Sequence, residues 1–155
     1  MAAEEDIEYD RSLLGKPHLI GIFPVTREMI LGFSRSTGET HPLYSDEAAA
    51  KASEHGDLIA PPTFCNIFVA GYTRPDIKLK FGDFSLFASQ AIENLAPIKP
   101  GDTLEVNTRL KEVYAKTGRS GKMVFAVWET ECTNQNGETA VLVRDAYVRR
   151  ERKKR

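Results

Sequence analysis

Cysteine, histidine, net charge and long apolar runs are all scarce in this sequence, and each scarcity removes a class of protein. The two cysteines, Cys65 and Cys132, stand far apart with no CxxC pair, which argues against a disulfide scaffold and the usual zinc modules. Both read as buried, reduced thiols. His18, His41 and His55 fall in unrelated contexts, so no metal site is indicated, and no motif calls for a cofactor. No stretch approaches the roughly 18 apolar residues of a membrane span. The opening residues Glu4, Glu5 and Asp6 lack the basic-then-apolar order of a secretory signal. No membrane role and a cytoplasmic setting are therefore expected. A formal net charge of -1 gives no global reason to expect nucleic acid.

What is present suits one domain. With 155 residues, 41% hydrophobic and 28% charged, the chain can bury a real core, so 1–155 reads as a single unit. Charge is lopsided only at the ends. Glu4, Glu5, Asp6, Glu8 and Asp10 open the chain, while Arg149, Arg150, Arg152, Lys153, Lys154 and Arg155 close it. We read 1–10 as an acidic tail and 149–155 as a basic tail, both solvated. A nucleic-acid module built on the basic tail ranks last, because no basic strand face carries the aromatic pattern of single-strand binders.

Helical signals occupy the chain up to about Tyr72. Residues 26–36 carry Met29, Ile30 and Phe33 at helical spacing, and Ser45-Asp46-Glu47-Ala48 reads as a capped helix start. After Phe81 the pattern becomes strand-like. Runs over 83–96, 103–116, 123–133 and 139–150 are separated by a Pro-Gly turn at 97–102, a Gly-rich turn at 117–122 and the hairpin signal Asn136-Gly137. That order predicts an antiparallel meander of four strands. Between the halves, residues 58–72 (LIAPPTFCNIFVAGY) are apolar on nearly every side. Pro61-Pro62 fits the first turn of a helix, and a helix apolar all round must be buried. Four long strands bury such a helix most simply by curling round it, an α+β hot-dog fold with Gly71 closing the helix.

The chemistry-bearing cluster is Gly38-Glu39-Thr40-His41-Pro42-Leu43-Tyr44, a carboxylate, an imidazole and a phenol around a proline. Proline pushes His41 toward extended geometry, so these side chains lie on a fixed loop between two helices. The stretch resembles the Gly-Asp-x-Asn-Pro-aliphatic-His motif of the MaoC-like (R)-specific enoyl-CoA hydratase and β-hydroxyacyl dehydratase family. Residues 57–64 and the turn Lys99-Pro100-Gly101-Asp102 are also similar to that family, and the resemblance spans about 25–148. It fits best the amino-terminal-type half of two-part dehydratases, often non-catalytic.

The resemblance implies an acyl-CoA or acyl-carrier thioester as substrate and a hot-dog dimer, with itself or with a second hot-dog chain. It places Glu39, His41 and Tyr44 at the catalytic positions and Pro62, Thr63, Phe64 and Phe68 at the substrate, with backbone N–H donors at the start of the central helix. Glu39 replaces the family's Asp, His41 its Asn, and Tyr44 its His. An imidazole near pKa 6.5 moves protons at neutral pH and a phenol near 10 does not. Two readings stay open: a hydratase or dehydratase subunit, or a non-catalytic acyl-binding subunit beside a catalytic partner. Lys78, Lys80, Lys99, Arg119 and the basic tail are candidates for the phosphates of CoA.

Overall fold

The structure, a computed structural model, describes residues 7–152. Five antiparallel strands form one sheet in the order β1-β3-β4-β5-β2: β1 His18–Pro24, β2 Phe84–Asn94, β3 Thr103–Gly118, β4 Gly121–Thr133 and β5 Thr139–Arg150. Helices α1 Arg27–Thr37, α2 Pro42–Ser45, α3 Glu47–Lys51 and α4 Asn66–Val69 precede β2.

Alternation explains the sheet. In β3 the side chains of Leu104, Val106, Thr108 and Leu110 are buried between exposed Glu105 and Arg109, the period of a strand with one covered face. Opposite them on β4 and β5 stand Cys132, Val141 and Val143, and these join Phe64, Cys65 and Phe68 in one core. The Asn136-Gly137 signal makes its turn: Asn134 Oδ1 accepts from the Asn136 and Glu138 N–H groups, and Gly137 takes φ 74.

Three expectations need correction. First, β1 lies where the sequence reads as helical. Pro17, Gly21 and Pro24 look like breakers there, but β1 is an edge strand, where proline is tolerated, and Gly21 falls at a shift in its register with β3. Second, only Asn66–Val69 of the central run is α-helix. The turns around it close through i→i−3 bonds, Phe64 N–H to Pro61 O at 3.0 Å and Asn66 N–H to Thr63 O at 3.1 Å, the tighter 3₁₀ pattern. Nor is the run buried all round, since Ile67 is 40% exposed. Third, the ends are not wholly solvated. Ile7 is buried, the Lys80 N–H donates to Glu8 O, and the Asp10 N–H donates to Ile77 O, while Arg149 and Arg150 belong to β5. The rest of the expected tails, 1–6 and 153–155, lies outside the described residues.

The outer sheet face is charged. Glu129 on β4 is 4% exposed, bonded by Arg109, Lys111 and Arg144. Burial alone raises its pKa, but these cations win and hold it at about 2 against an ordinary 4.5. A depressed carboxyl stabilises the fold fully above its unfolded value and ceases to as pH falls through the folded one. Stability is therefore expected to drop between about pH 4.5 and 2, by up to roughly 3 kcal/mol from this group. Urea unfolding of wild type and Glu129→Gln across that range checks it, because the variant loses this part of the acid dependence.

Candidate functional site

Helix α1 starts at the Thr26 cap, whose Oγ1 accepts from the Met29 N–H, and stops at Gly38 in the left-handed conformation, φ 71. The motif loop follows at once. The Glu39 N–H donates to Ser34 O at 2.8 Å, and buried Ser34 Oγ donates to Tyr44 O at 2.8 Å. The loop is thus pinned to the helix before it.

Within the loop, Glu39 and His41 face their own backbone. Glu39 Oε1 accepts the His41 N–H at 2.8 Å, and His41 Nδ1 accepts the Leu43 N–H at 3.2 Å as the cap of α2. A ring nitrogen that accepts an N–H carries no proton, so His41 can use Nδ1 as a base only by giving up this cap. The His41 and Tyr44 rings lie 5.0 Å apart, tilted by 37°.

A cleft of about 260 Å³ opens beside this loop. Its walls are Tyr44 and His55, the 59–62 segment with Cys65, the end of β2 and its turn from Asn94 to Ile98, and Val141. Main-chain bonds hold these segments together: Ile59 N–H to Leu43 O at 3.1 Å and Ala60 N–H to Ile98 O at 2.8 Å. Arg27 grips Asp57 through two bonds of 2.7 and 3.0 Å and reaches Glu47 at 3.0 Å. That guanidinium, against the opposing effect of burial, holds the Asp57 carboxyl below its usual range.

Of the residues expected at the site, Tyr44 and Pro62 line the cleft, while Glu39 and His41 do not. Thr63 is exposed beside it. Phe64 and Phe68 are core residues, edge-to-face with each other at 5.5 Å and continued by Phe33 and Phe23 into α1 and β1. The expected donors at the helix start are weakened as well: four α-helical residues sum to little dipole, and the Phe64 N–H is used by Pro61 O. Sequence reasoning missed His55 and Asn94. The usable signal was their position, His55 just before the 57–64 run and Asn94 just before the Pro97 turn. Among the candidate phosphate ligands, Lys99 Nζ donates to His55 O and Lys80 pairs with Glu8. Arg119 sits at the tip of the β3–β4 hairpin, away from the cleft.

The cysteines are closer than their sequence separation suggests. Cys65 and Cys132 share one core cluster, and a hydrogen bond with Cys132, together with burial, pushes the Cys65 thiol far up, so Cys65 stays a protonated, inert thiol.

The model of the FAS1-like dehydratase domain region matches residues 17–143. The chain belongs to this family. A UPF0336 protein of Streptomyces griseus subsp. griseus is 34% identical over 115 residues, covering 70% of this chain and 76% of its own. The MaoC-like dehydratase from Rhodospirillum rubrum superposes over 90% of this chain and 93% of its own, with TM-score 0.68 at 20% identity. The HadBC (3R-hydroxyacyl-ACP dehydratase) complex from Mycobacterium tuberculosis matches 90% of this chain and 98% of that one, with TM-score 0.68 at 22% identity. The fold is therefore the hot-dog of MaoC-like hydratases and dehydratases, with β1 as the strand that the sequence pattern concealed.

Proposed function

We propose that this chain is the acyl-thioester-binding member of a hot-dog hydratase/dehydratase, and that a second hot-dog chain supplies the proton transfers. The observation that carries this reading is the division of labour around Tyr44. Hydration of an enoyl thioester adds a water oxygen to one carbon and a proton to its neighbour, which needs a base and an acid at the ligand. Here the motif position at the cleft holds a phenol, and the two groups suited to proton transfer, Glu39 and His41, bond their own loop. A cleft is offered without a poised acid–base pair. If the loop rearranges on binding, Glu39, His41 and Tyr44 are the residues of a self-sufficient enzyme, which is the competing reading.

The partner has a place to bind. Strand β2 closes one side of the sheet with no neighbour beyond it among the described residues, and Phe84, Leu86, Phe87 and Leu95 are exposed along or beside it, Phe87 by 56%. An open apolar edge of this length is a template for another strand. It also borders the cleft through Asn94 and Leu95, so a chain added there would extend the cleft wall. The HadBC dehydratase is itself described as a complex, which supports the two-chain reading. Among the described residues no helix is long and apolar enough to cross a membrane; a cytoplasmic setting remains part of the proposal.

The double variant Leu86→Lys, Phe87→Lys tests the edge. Placing two charges there is expected to weaken association, with itself or with a co-expressed hot-dog chain, by at least about tenfold. Light scattering and pull-down read the result. Unchanged association would move the interface elsewhere.

A further inference from the structure

We propose that the inner sheet face carries a second ligand site, distinct from the cleft beside Tyr44, in which Arg149, Trp128 and Tyr147 bind the carboxylate of a small organic acid. It shares no residue with that cleft, and it stands whether or not the thioester reading does.

The site is a cavity of about 170 Å³ between the segment that follows α4 and the end of the sheet where β5 finishes. Pro75, Ile77 and Leu79 cover it, and Ala126, Trp128 and Tyr147 form its floor. Alternation along β5 sends Asp145, Tyr147 and Arg149 to one face. Bonds across that face agree with this direction: Arg74 reaches Asp145 and Tyr147, while Arg149 Nη1 donates to the carbonyls of Leu79, Phe81 and Gly82 at 3.3, 3.4 and 3.4 Å. Ser85, opposite Arg149 on β2, is exposed and borders the cavity.

The protein leaves donors unused here. Arg149 bonds through Nη1 alone and only to carbonyls, so among the described residues its charge has no carboxylate partner and its Nε and Nη2 have no acceptor. The Trp128 indole N–H has no acceptor either. Among the described residues the buried side-chain atoms without a partner are His18 Nε2 and Arg74 Nε. The Arg149 and Trp128 groups do not belong to that set and so meet open space, which for Trp128, only 4% exposed, is the cavity it lines. The Tyr147 hydroxyl accepts from Arg74 Nη1 at 2.9 Å, which leaves its own proton to donate. Asp76 also borders the cavity, but it is exposed and its Oδ1 takes the Lys78 N–H at 2.8 Å. A guanidinium, an indole N–H and a phenol O–H beside apolar walls call for a negatively charged acceptor. A flat carboxylate matches the guanidinium fork, and a short apolar chain on it suits Ile77, Leu79 and Ala126. The volume lies below the roughly 300–1,000 Å³ of drug-sized sites, which limits the ligand to a small acid.

Trp128 is the single tryptophan of the sequence, so its indole N–H resonance reports on the site directly. Titration of the full chain with butyrate at constant pH and ionic strength is expected to shift that resonance saturably. The expected dissociation constant is on the order of 1 mM, within the affinity per atom open to so small a ligand. Butyramide, the neutral counterpart, and inorganic phosphate are expected to give no saturable shift. Arg149→Gln is expected to weaken butyrate binding at least about tenfold. Because that change also releases the carbonyls of the 79–82 turn, Ser85→Phe makes the same comparison by filling the space from an exposed strand position, with the melting midpoint of each variant measured. It is expected to weaken butyrate by a similar factor. No saturable shift in wild type, butyramide binding as tightly as butyrate, or butyrate affinity unchanged in Ser85→Phe and in folded Arg149→Gln overturns the site. Phosphate binding as tightly as butyrate overturns the carboxylate as its ligand.

Discussion

Arg74→Ala lowers the unfolding free energy by about 3–5 kcal/mol and the melting midpoint by on the order of 10 °C. Arg74 lies in the irregular segment after α4 and is pressed onto the inner sheet face. Its Nη2 donates to Asp145 Oδ2 at 2.7 Å and its Nη1 to the Tyr147 hydroxyl at 2.9 Å. The guanidinium also lies 5.8 Å from the Trp128 ring centroid and 5.6 Å from that of Tyr147. Asp145 is 3% exposed, and its other oxygen accepts from Gln90 Nε2 at 2.8 Å. Removing the arginine strands a buried carboxylate with one neutral partner, and the cost arises mostly from that stranding. Replacing the pair together, Arg74→Met with Asp145→Leu, is accordingly expected to cost less than Arg74→Ala alone. Urea denaturation of the three proteins checks both statements. A loss below about 1 kcal/mol for Arg74→Ala, the size expected of an exposed pair, would show that the segment is not held this way.

The double variant Glu39→Asp, Tyr44→His raises hydration of a crotonyl thioester by about a hundredfold over the wild-type chain, the lower end of what positioned acid–base groups contribute. Tyr44 already lines the cleft, so histidine there puts an imidazole, the side chain suited to proton transfer near neutrality, where a phenol now stands. Glu39 spans to the His41 N–H at 2.8 Å, and a side chain one methylene shorter alters that reach and with it the placing of the carboxylate. Neither change alone is expected to match the pair, because misplacement by about 1 Å can cost on the order of a hundredfold. Steady-state rates on variants of matched melting midpoint read the effect. A folded double variant with no gain would show that the cleft beside Tyr44 is not where the chemistry occurs.

How far the sequence could be read depended on whether a feature was local. Strands β3, β4 and β5 announce themselves because alternation along one strand is enough to show a covered face, as Leu104, Val106, Thr108 and Leu110 do. Strand β1 did not, since its prolines and glycine are acceptable only at a sheet edge, and edge position is a property of the assembled sheet. The central run reads as one long buried helix because apolar composition alone cannot tell a buried position from an exposed one. Ile67 and Leu95 are apolar and exposed. The same limit governs the site. The loop from Gly38 to Tyr44 is legible as seven adjacent residues, whereas the cleft combines Tyr44, His55, Cys65, Asn94 and Val141, which only the hot-dog wrapping brings together. Nor could spacing reveal that Glu39 and His41 bond their own backbone, since that depends on the dihedral angles of the loop.

The most direct measurement is turnover by the purified wild-type chain at a thioester concentration that calorimetry has shown to saturate it, followed by loss of enoyl absorbance from a crotonyl thioester. The account expects bound ligand to remain unconverted, at a rate within about tenfold of the uncatalysed control, and to be converted once a hot-dog chain bearing the intact Asp and His motif is added. Rapid conversion by the chain alone, lost on both Glu39→Gln and His41→Ala, would contradict it and make the motif loop a working active site.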